Sequence, residues 1–203
     1  MYLPRQFDQP AQVTALMREH PFASLVTTDD GGFPCVTHLP LRLEALPGGA
    51  LRLLGHCARA NPQWGHLLQR PLALVSFMGP HAYMSPKVYA DLQRVPTWSY
   101  VAVQARVRAR VLEGEAAKDA LLKQLIADHE PAYADQWRAL PEDYTEKMLK
   151  AIVAFELDIE DLQCAVKLNQ HRPESHAAMY QAYRAGGANE QALADWMQRM
   201  GLV

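Results

Sequence analysis

The chain has 203 residues, 49% of them hydrophobic, which is enough to bury a sizeable core in one large domain and excludes a disordered segment. A net charge of -2 excludes the broad basic excess with which nucleic-acid binders neutralise phosphates, leaving room only for a local patch. The three cysteines, Cys35, Cys57 and Cys164, include no CxxC pair, so neither a disulfide framework nor a structural zinc site is indicated; with no signal-like N-terminus and no membrane-length apolar segment, a soluble cytoplasmic protein is expected.

Asp8 is placed to cap a short amphipathic helix, with Pro10 in its first turn and Val13, Leu16 and Met17 on its apolar face, ended by His20-Pro21. Phe22–Thr28 and Pro34–Leu43 read as two strands of a β-hairpin around Asp29-Asp30-Gly31-Gly32. A third strand, Ala50–His56, follows Pro47-Gly48-Gly49, and Asn61-Pro62 supplies an N-cap and an N1 proline for a helix through Leu68. A fourth, Leu72–Met78, stops at Gly79-Pro80, with a short strand His81–Met84 beyond it.

The clearest strand begins at Thr97, where Val101, Val103, Ala105, Val107, Ala109 and Val111 share one face and Gln104, Arg106, Arg108 and Arg110 the other. Glu115–Glu130 and Pro141–Lys150 read as helices, and Val153, Phe155, Leu157 and Ile159 face inward along a final long strand. The tail forms two helices, Glu174–Ala185 and Asn189–Met200, broken at Gly186-Gly187. Leu193, Trp196, Met197 and Met200 give the last helix an apolar face that a partner chain is expected to cover. Antiparallel strands joined mostly by tight turns, with one helical crossover, predict a mainly β fold with helices (α+β), a small barrel over about residues 20–160 and a helical extension over 161–203 of a single domain.

Three blocks carry candidate chemistry. His56, Arg59 and Asn61 follow a strand end, where charge-assisted donors and a helix start suit a phosphate, although Asn61 as a simple cap and Arg59 as a solvated loop charge explain the same spacing. Val95-Pro96-Thr97-Trp98-Ser99-Tyr100 sorts hydroxyls and aromatics onto opposite faces, as a ligand cleft or a plain strand start would. Lys167-Leu168-Asn169-Gln170-His171-Arg172-Pro173 concentrates donors with no acidic residue between them, as an anion clamp or a solvated basic loop.

These blocks stand in one order with Ser24-Leu25-Val26-Thr27, Thr37-His38-Leu39-Pro40-Leu41, Asn61-Pro62-Gln63-Trp64 and Phe77-Met78-Gly79-Pro80-His81-Ala82-Tyr83-Met84-Ser85-Pro86. Together, over roughly residues 1 to 180, they resemble the PaiB family of FMN-binding proteins, described as negative transcriptional regulators. Val88 stands where the family often reads tryptophan, and Val166, Asn169 and His171 depart from its Trp-Lys-Leu-Ser-Gln-Asn-Arg pattern, leaving Lys167, Gln170 and Arg172 in place. The resemblance implies a split β-barrel of the pyridoxamine-phosphate-oxidase type and a homodimer holding FMN at its interface with residues of both chains. It implies Arg59, Lys167 and Arg172 at the phosphate and polar edge of the flavin, His56, Thr97 and Trp98 along the cleft, and Thr27, His38, Leu39, Pro40, Asn61 and Gln170 as further cofactor-binding positions.

The absence of GxGxxG and Walker-type loops agrees with a single terminal phosphate and hence with FMN. Two functions follow from the resemblance: a flavin-binding regulator that associates with DNA or a protein partner, and a flavin-dependent oxidoreductase in which the ring supplies the chemistry. No helix-turn-helix pattern and no nucleophile, base and orienter set is legible. A haem or metal site at His38, His56 and His81 is a third reading, without ligand spacing to support it.

Overall fold

The computed structural model describes residues 1–91 and 93–203, and contains seven strands and seven α-helices among them. In chain order these are α1 (Val13–Glu19), β1 (Phe22–Thr28), β2 (Pro34–Pro40), β3 (Arg42–Ala45), β4 (Leu51–Ala58), α2 (Gln63–Gln69), β5 (Leu72–Met84), β6 (Thr97–Leu112), α3 (Glu115–His129), α4 (Ala134–Ala139), α5 (Glu142–Lys150), β7 (Ile152–Lys167), α6 (His176–Arg184) and α7 (Ala188–Arg199). The strands form a sheet in the order β2-β1-β5-β6-β7-β4-β3, and β1 with β2, β1 with β5, β3 with β4 and β4 with β7 pair antiparallel. The chain divides into two compact units: Met1–His20, Phe77–Gln104 and Gln163–Val203 in the first, Pro21–Ser76 and Ala105–Leu162 in the second.

In the second unit the β1–β2 hairpin closes as the turn residues require. Asp29 Oδ1 accepts from the backbone N–H of Gly31 at 2.9 Å and of Phe33 at 2.8 Å, and Gly32 takes φ +81°. The strand predicted through Leu43 breaks after Pro40. Proline brings no N–H to a ladder, and the next amide, Leu41, donates to Pro21 O at 2.9 Å, so β3 starts afresh at Arg42. Alternation on β6 is as expected: Ala105 and Val107 are buried while Arg106, Arg108 and Arg110 lie outward. Arg108 pairs with Glu160 and Arg110 with Glu156, so much of this basic stripe is neutralised.

In the first unit, β5 runs straight through Gly79-Pro80, where a stop was expected. Phe77 is buried on an odd position and Ala82 and Met84 on even ones, so the strand changes parity across Gly79-Pro80 as a bulge would make it do. Gly79 is needed there, since a Cβ would sit 3.1 Å from Val101 O and 3.3 Å from Leu16 Cδ1. Asp8 forms a β-bridge with Ala165 instead of capping a helix; the 3-10 turn Pro10–Gln12 intervenes, and α1 begins only at Val13. β7 extends to Lys167, well beyond the alternation read up to Ile159.

The apolar face of α7 is a further correction. Leu193, Trp196 and Met197 are buried within this single chain, α7 packs on α6, and Arg199 reaches Glu19 at 2.9 Å. This face is closed by the chain's own first unit and gives no reason for a partner.

Candidate functional site

Lys167 ends β7 and Thr97 opens β6, and the Lys167 ammonium donates to Thr97 Oγ1 at 2.7 Å. Both line a cleft of about 450 Å3 in the first unit, together with Arg94, Arg172, Asn169 and Tyr89. Burial lowers the Lys167 pKa from the ordinary lysine value, so a charge is held here at a cost that a bound anion would relieve.

The loop after β7 is a rigid frame for that cleft. Asn169 adopts φ 62°, a left-handed conformation that asparagine tolerates better than most residues. Its Nδ2 donates to Tyr89 Oη at 2.8 Å and Ser175 Oγ at 2.7 Å, and its carbonyl is 3.0 Å from His176 Nε2. Gln170 folds back on the same loop: its Oε1 accepts from the Leu168 N–H at 2.9 Å and its Nε2 donates to Val166 O, so it shapes the turn.

Arg94, which the sequence reading passed over, lies 4.9 Å above the Tyr89 ring and pairs with Asp91 at 2.8 Å. Its Nε is buried with no hydrogen-bond partner among the described residues. Arg172 keeps only a long pairing to Glu174, 4.0 Å, and remains partly exposed. Three cations, one of them Arg94 with its unsatisfied guanidinium Nε, and a hydroxyl therefore converge on one cleft, which is the donor set a phosphate monoester dianion asks for. The signal for Arg94 was its place immediately before Val95-Pro96, and for Asn169 its place inside the Lys167–Arg172 run.

Trp98 lies on the other face of β6. It is 49% exposed, its Nε1 meets His81 Nδ1 at 3.4 Å, and its ring stands 6.3 Å from that of Tyr83, itself 52% exposed. The structure thus brings Thr97, Lys167 and Arg172 together and turns Trp98 to an outward aromatic patch.

The remaining sequence candidates fall in the second unit. Thr27 is buried with Oγ1 3.2 Å from His66 Nδ1, and His38 Nδ1 is 3.0 Å from Ser24 Oγ, its cross-strand partner. Asn61 Oδ1 accepts from the Gln63 N–H at 2.9 Å while its Nδ2 donates to Thr37 Oγ1 at 2.9 Å, so it caps α2 and ties it to β2. Arg59 Nε donates to Lys150 O at 2.8 Å, and Lys118 Nζ to Leu149 O at 2.9 Å, so two cations satisfy carbonyls at the C-terminal end of α5. Leu39 is buried, whereas Pro40 and His56 line a separate, apolar cleft. Burial disfavours the charged imidazole and lowers the His56 pKa from its ordinary value. Among the described residues no group of three or more His, Cys, Asp or Glu side chains could hold a metal ion, and no helix is long and apolar enough to cross a membrane.

Comparison with known proteins bears on the ligand directly. Residues 1–161 match the profile of the family described as "Putative FMN-binding domain". The chain is 36% identical over 182 residues, 86% of its length and 84% of the relative's, to the protease synthase and sporulation protein PAI 2 of Bacillus subtilis. It is 29% identical over 215 residues, 84% of each chain, to an uncharacterised protein of Emericella nidulans. Among solved structures it shares its fold with the flavocytochrome Anf3 of Azotobacter vinelandii (TM-score 0.62, 18% identity, 79% of this chain and 68% of that one). It shares it also with a FAD- and haem-binding protein of Mycobacterium smegmatis (TM-score 0.59, 18% identity, 78% and 71%), so the α+β fold built on this sheet is one that flavin-binding proteins adopt. The chain belongs to the FMN-binding family that includes the PaiB-type proteins, and FMN is its cofactor.

Proposed function

We propose that this protein binds FMN with the phosphate and polar edge of the flavin in the Lys167, Arg94 and Arg172 cleft, and that it works as a PaiB-type negative regulator in the cytoplasm, as a homodimer whose two chains share the flavin. The observation that carries the site is the convergence of those three cations with the Thr97 hydroxyl, one guanidinium nitrogen among them being buried and unpaired. Bound FMN supplies a ring that accepts and returns electrons; the residues of this chain bind, orient and neutralise its phosphate. The regulatory part is supported by the 36% identity to a sporulation protein of Bacillus subtilis. Because Arg108 and Arg110 are already paired with carboxylates, regulation is expected through a protein partner more than through this stripe on DNA.

Titration followed by quenching of flavin fluorescence tests the site. FMN should bind more tightly than FAD, and Arg94→Ala and Arg172→Ala should each cost about 1.5–3 kcal/mol, or about tenfold to a hundredfold in affinity, with Arg106→Ala neutral. Unchanged affinity in both cleft variants overturns the placement. Light scattering should report twice the chain mass, and retention of a promoter fragment by the protein alone would move regulation onto DNA.

A further inference from the structure

On the sheet beneath the first half of α3, apolar side chains give way to charged ones inside a single cleft. Leu54 on β4 stands opposite Glu156 on β7, and Glu44 on β3 stands opposite Arg52 on β4. Ala117, Ala120, Leu121 and Gln124 follow at i, i+3, i+4 and i+7 along α3 and so share the face that closes over these strands. With Leu112 at the end of β6 they line about 230 Å3, all of it within the second unit. Two bonds fix the helix over the strands and over its neighbour: Arg42 Nε donates to Asp128 Oδ2 at 2.7 Å, and Lys118 Nζ donates to Leu149 O at 2.9 Å.

The cleft has a hydrocarbon floor and acceptors at its edge. Leu54 and Leu121 are buried, and no cationic side chain is in the lining. Glu156 is already neutralised, by Arg52 Nη1 at 3.0 Å and by Arg110, while Arg52 Nε goes to Asp158 at 2.7 Å. Glu44 therefore has no ion-pair partner among the described residues, although Arg52 is its cross-strand neighbour. Gln124 Oε1 is buried and has no hydrogen-bond partner among the described residues, a state that folded proteins rarely leave unexplained. One free carboxylate and one orphaned amide oxygen together ask for a donor that carries a single positive charge. An ammonium group, with three N–H donors and no acceptor, meets that demand. The volume falls below the range of about 300–1,000 Å3 that drug-sized ligands occupy, so the occupant is small.

We propose that this cleft binds a primary alkylammonium ion with an unbranched chain of about four to six carbons, donating to Glu44 and Gln124 Oε1 and laying its methylenes on Leu54, Leu112 and Leu121. The inference goes beyond the flavin reading and does not depend on it, since the two clefts share no lining residue.

The test uses the full-length, FMN-loaded protein and titrates pentylammonium, pentan-1-ol, pentanoate and 1,5-diaminopentane by calorimetry at neutral pH. Pentylammonium should bind saturably with one site per chain, and the alcohol and the carboxylate about tenfold more weakly or worse. The diamine should bind no more tightly than pentylammonium, because one carboxylate is free. Glu44→Gln should weaken pentylammonium about tenfold and leave pentan-1-ol unchanged, with Glu142→Gln, elsewhere on the same unit, as the neutral control. Ala120 is exposed on α3, so Ala120→Trp fills the cleft without entering the core; it should abolish pentylammonium binding and leave FMN affinity as it was. Should a variant fail to fold, amide chemical-shift mapping on the unsubstituted protein decides, with perturbed residues centred on Glu44, Ala120 and Gln124. Absence of saturable pentylammonium binding, equal binding of the alcohol or the carboxylate, tighter binding of the diamine, or shifts centred elsewhere overturns the proposal. Arg172→Ala should lose FMN and keep pentylammonium, which separates a failure of this site from a failure of the flavin site.

Discussion

Lys167 Nζ and Thr97 Oγ1 are 2.7 Å apart although the residues are separated by 70 positions in the chain. The bond joins the last residue of β7 to the first of β6 and aims a partly desolvated ammonium into the cationic cleft.

That ammonium gives the proposed flavin site a pH signature. Burial lowers the Lys167 pKa below the ordinary 10.5, so FMN affinity should hold steady above neutral pH and then decline before an ordinary lysine would titrate. Lys167→Arg should flatten the alkaline limb, since a guanidinium keeps its proton there. For the unliganded protein the sign runs the other way. Between the lowered folded pKa and the unfolded value the unfolded chain binds the extra proton, so the Lys167 contribution to stability rises with pH across that window. Fluorescence titrations and urea melts over pH 7 to about 10.5 check both limbs.

Asn169 should be costly to replace. Asn169→Ala removes donors from Tyr89 Oη and Ser175 Oγ and places alanine at φ 62°, for an expected loss of about 2–3 kcal/mol. Asn169→Gly relieves the backbone but not the lost bonds and should fall between the two. Urea denaturation midpoints at constant slope give the ranking.

Two glycines should respond in opposite directions to the same substitution. A Cβ at Gly55 would stand 2.5 Å from Leu41 Cδ2, 3.2 Å from Leu39 Cδ1 and 3.3 Å from Phe155 Cε2, so Gly55→Ala overpacks the β4 core and should cost about 1–3 kcal/mol. Gly65 lies within α2 with nothing within 4 Å of its would-be Cβ, and Gly65→Ala should stabilise by about 0.5–1 kcal/mol. Thermal melts of the two variants side by side should move apart.

The cysteines should differ in reactivity. Burial, with Asp8 nearby, pushes the Cys164 thiol up to about 12, and burial raises Cys57 also, whereas Cys35 is half-exposed on β2. A chromogenic disulfide reagent at pH 8 should therefore titrate one thiol quickly in the folded protein and three in urea. Fast reaction of two or more in the folded state would contradict the burial of β4 and β7.

Local pattern was a good guide where one face of an element meets a core. The arginine and valine alternation of β6, the Asp29-to-Gly32 hairpin and the apolar face of α1 could be read directly, because period-two and 3.6-residue patterns are consequences of backbone geometry. The ordered blocks also sufficed to recognise an FMN-binding family, whose profile matches residues 1–161.

What only the tertiary structure decided is which polar groups are already spent. Arg59 and Lys167 look alike in sequence, each a cation at the end of a strand, yet Arg59 is bonded to the end of α5 while Lys167 reaches into the cleft. The apolar face of α7 was legible, but its covering by the chain's own first unit was not. Nor was the continuation of β5 through Gly79-Pro80, which depends on how closely Val101 and Leu16 approach that glycine. Hydrophobic pattern specifies that a face must be buried and charge specifies that a cation must be solvated or paired; the identity of the partner is set by long-range packing, which no local window of sequence contains.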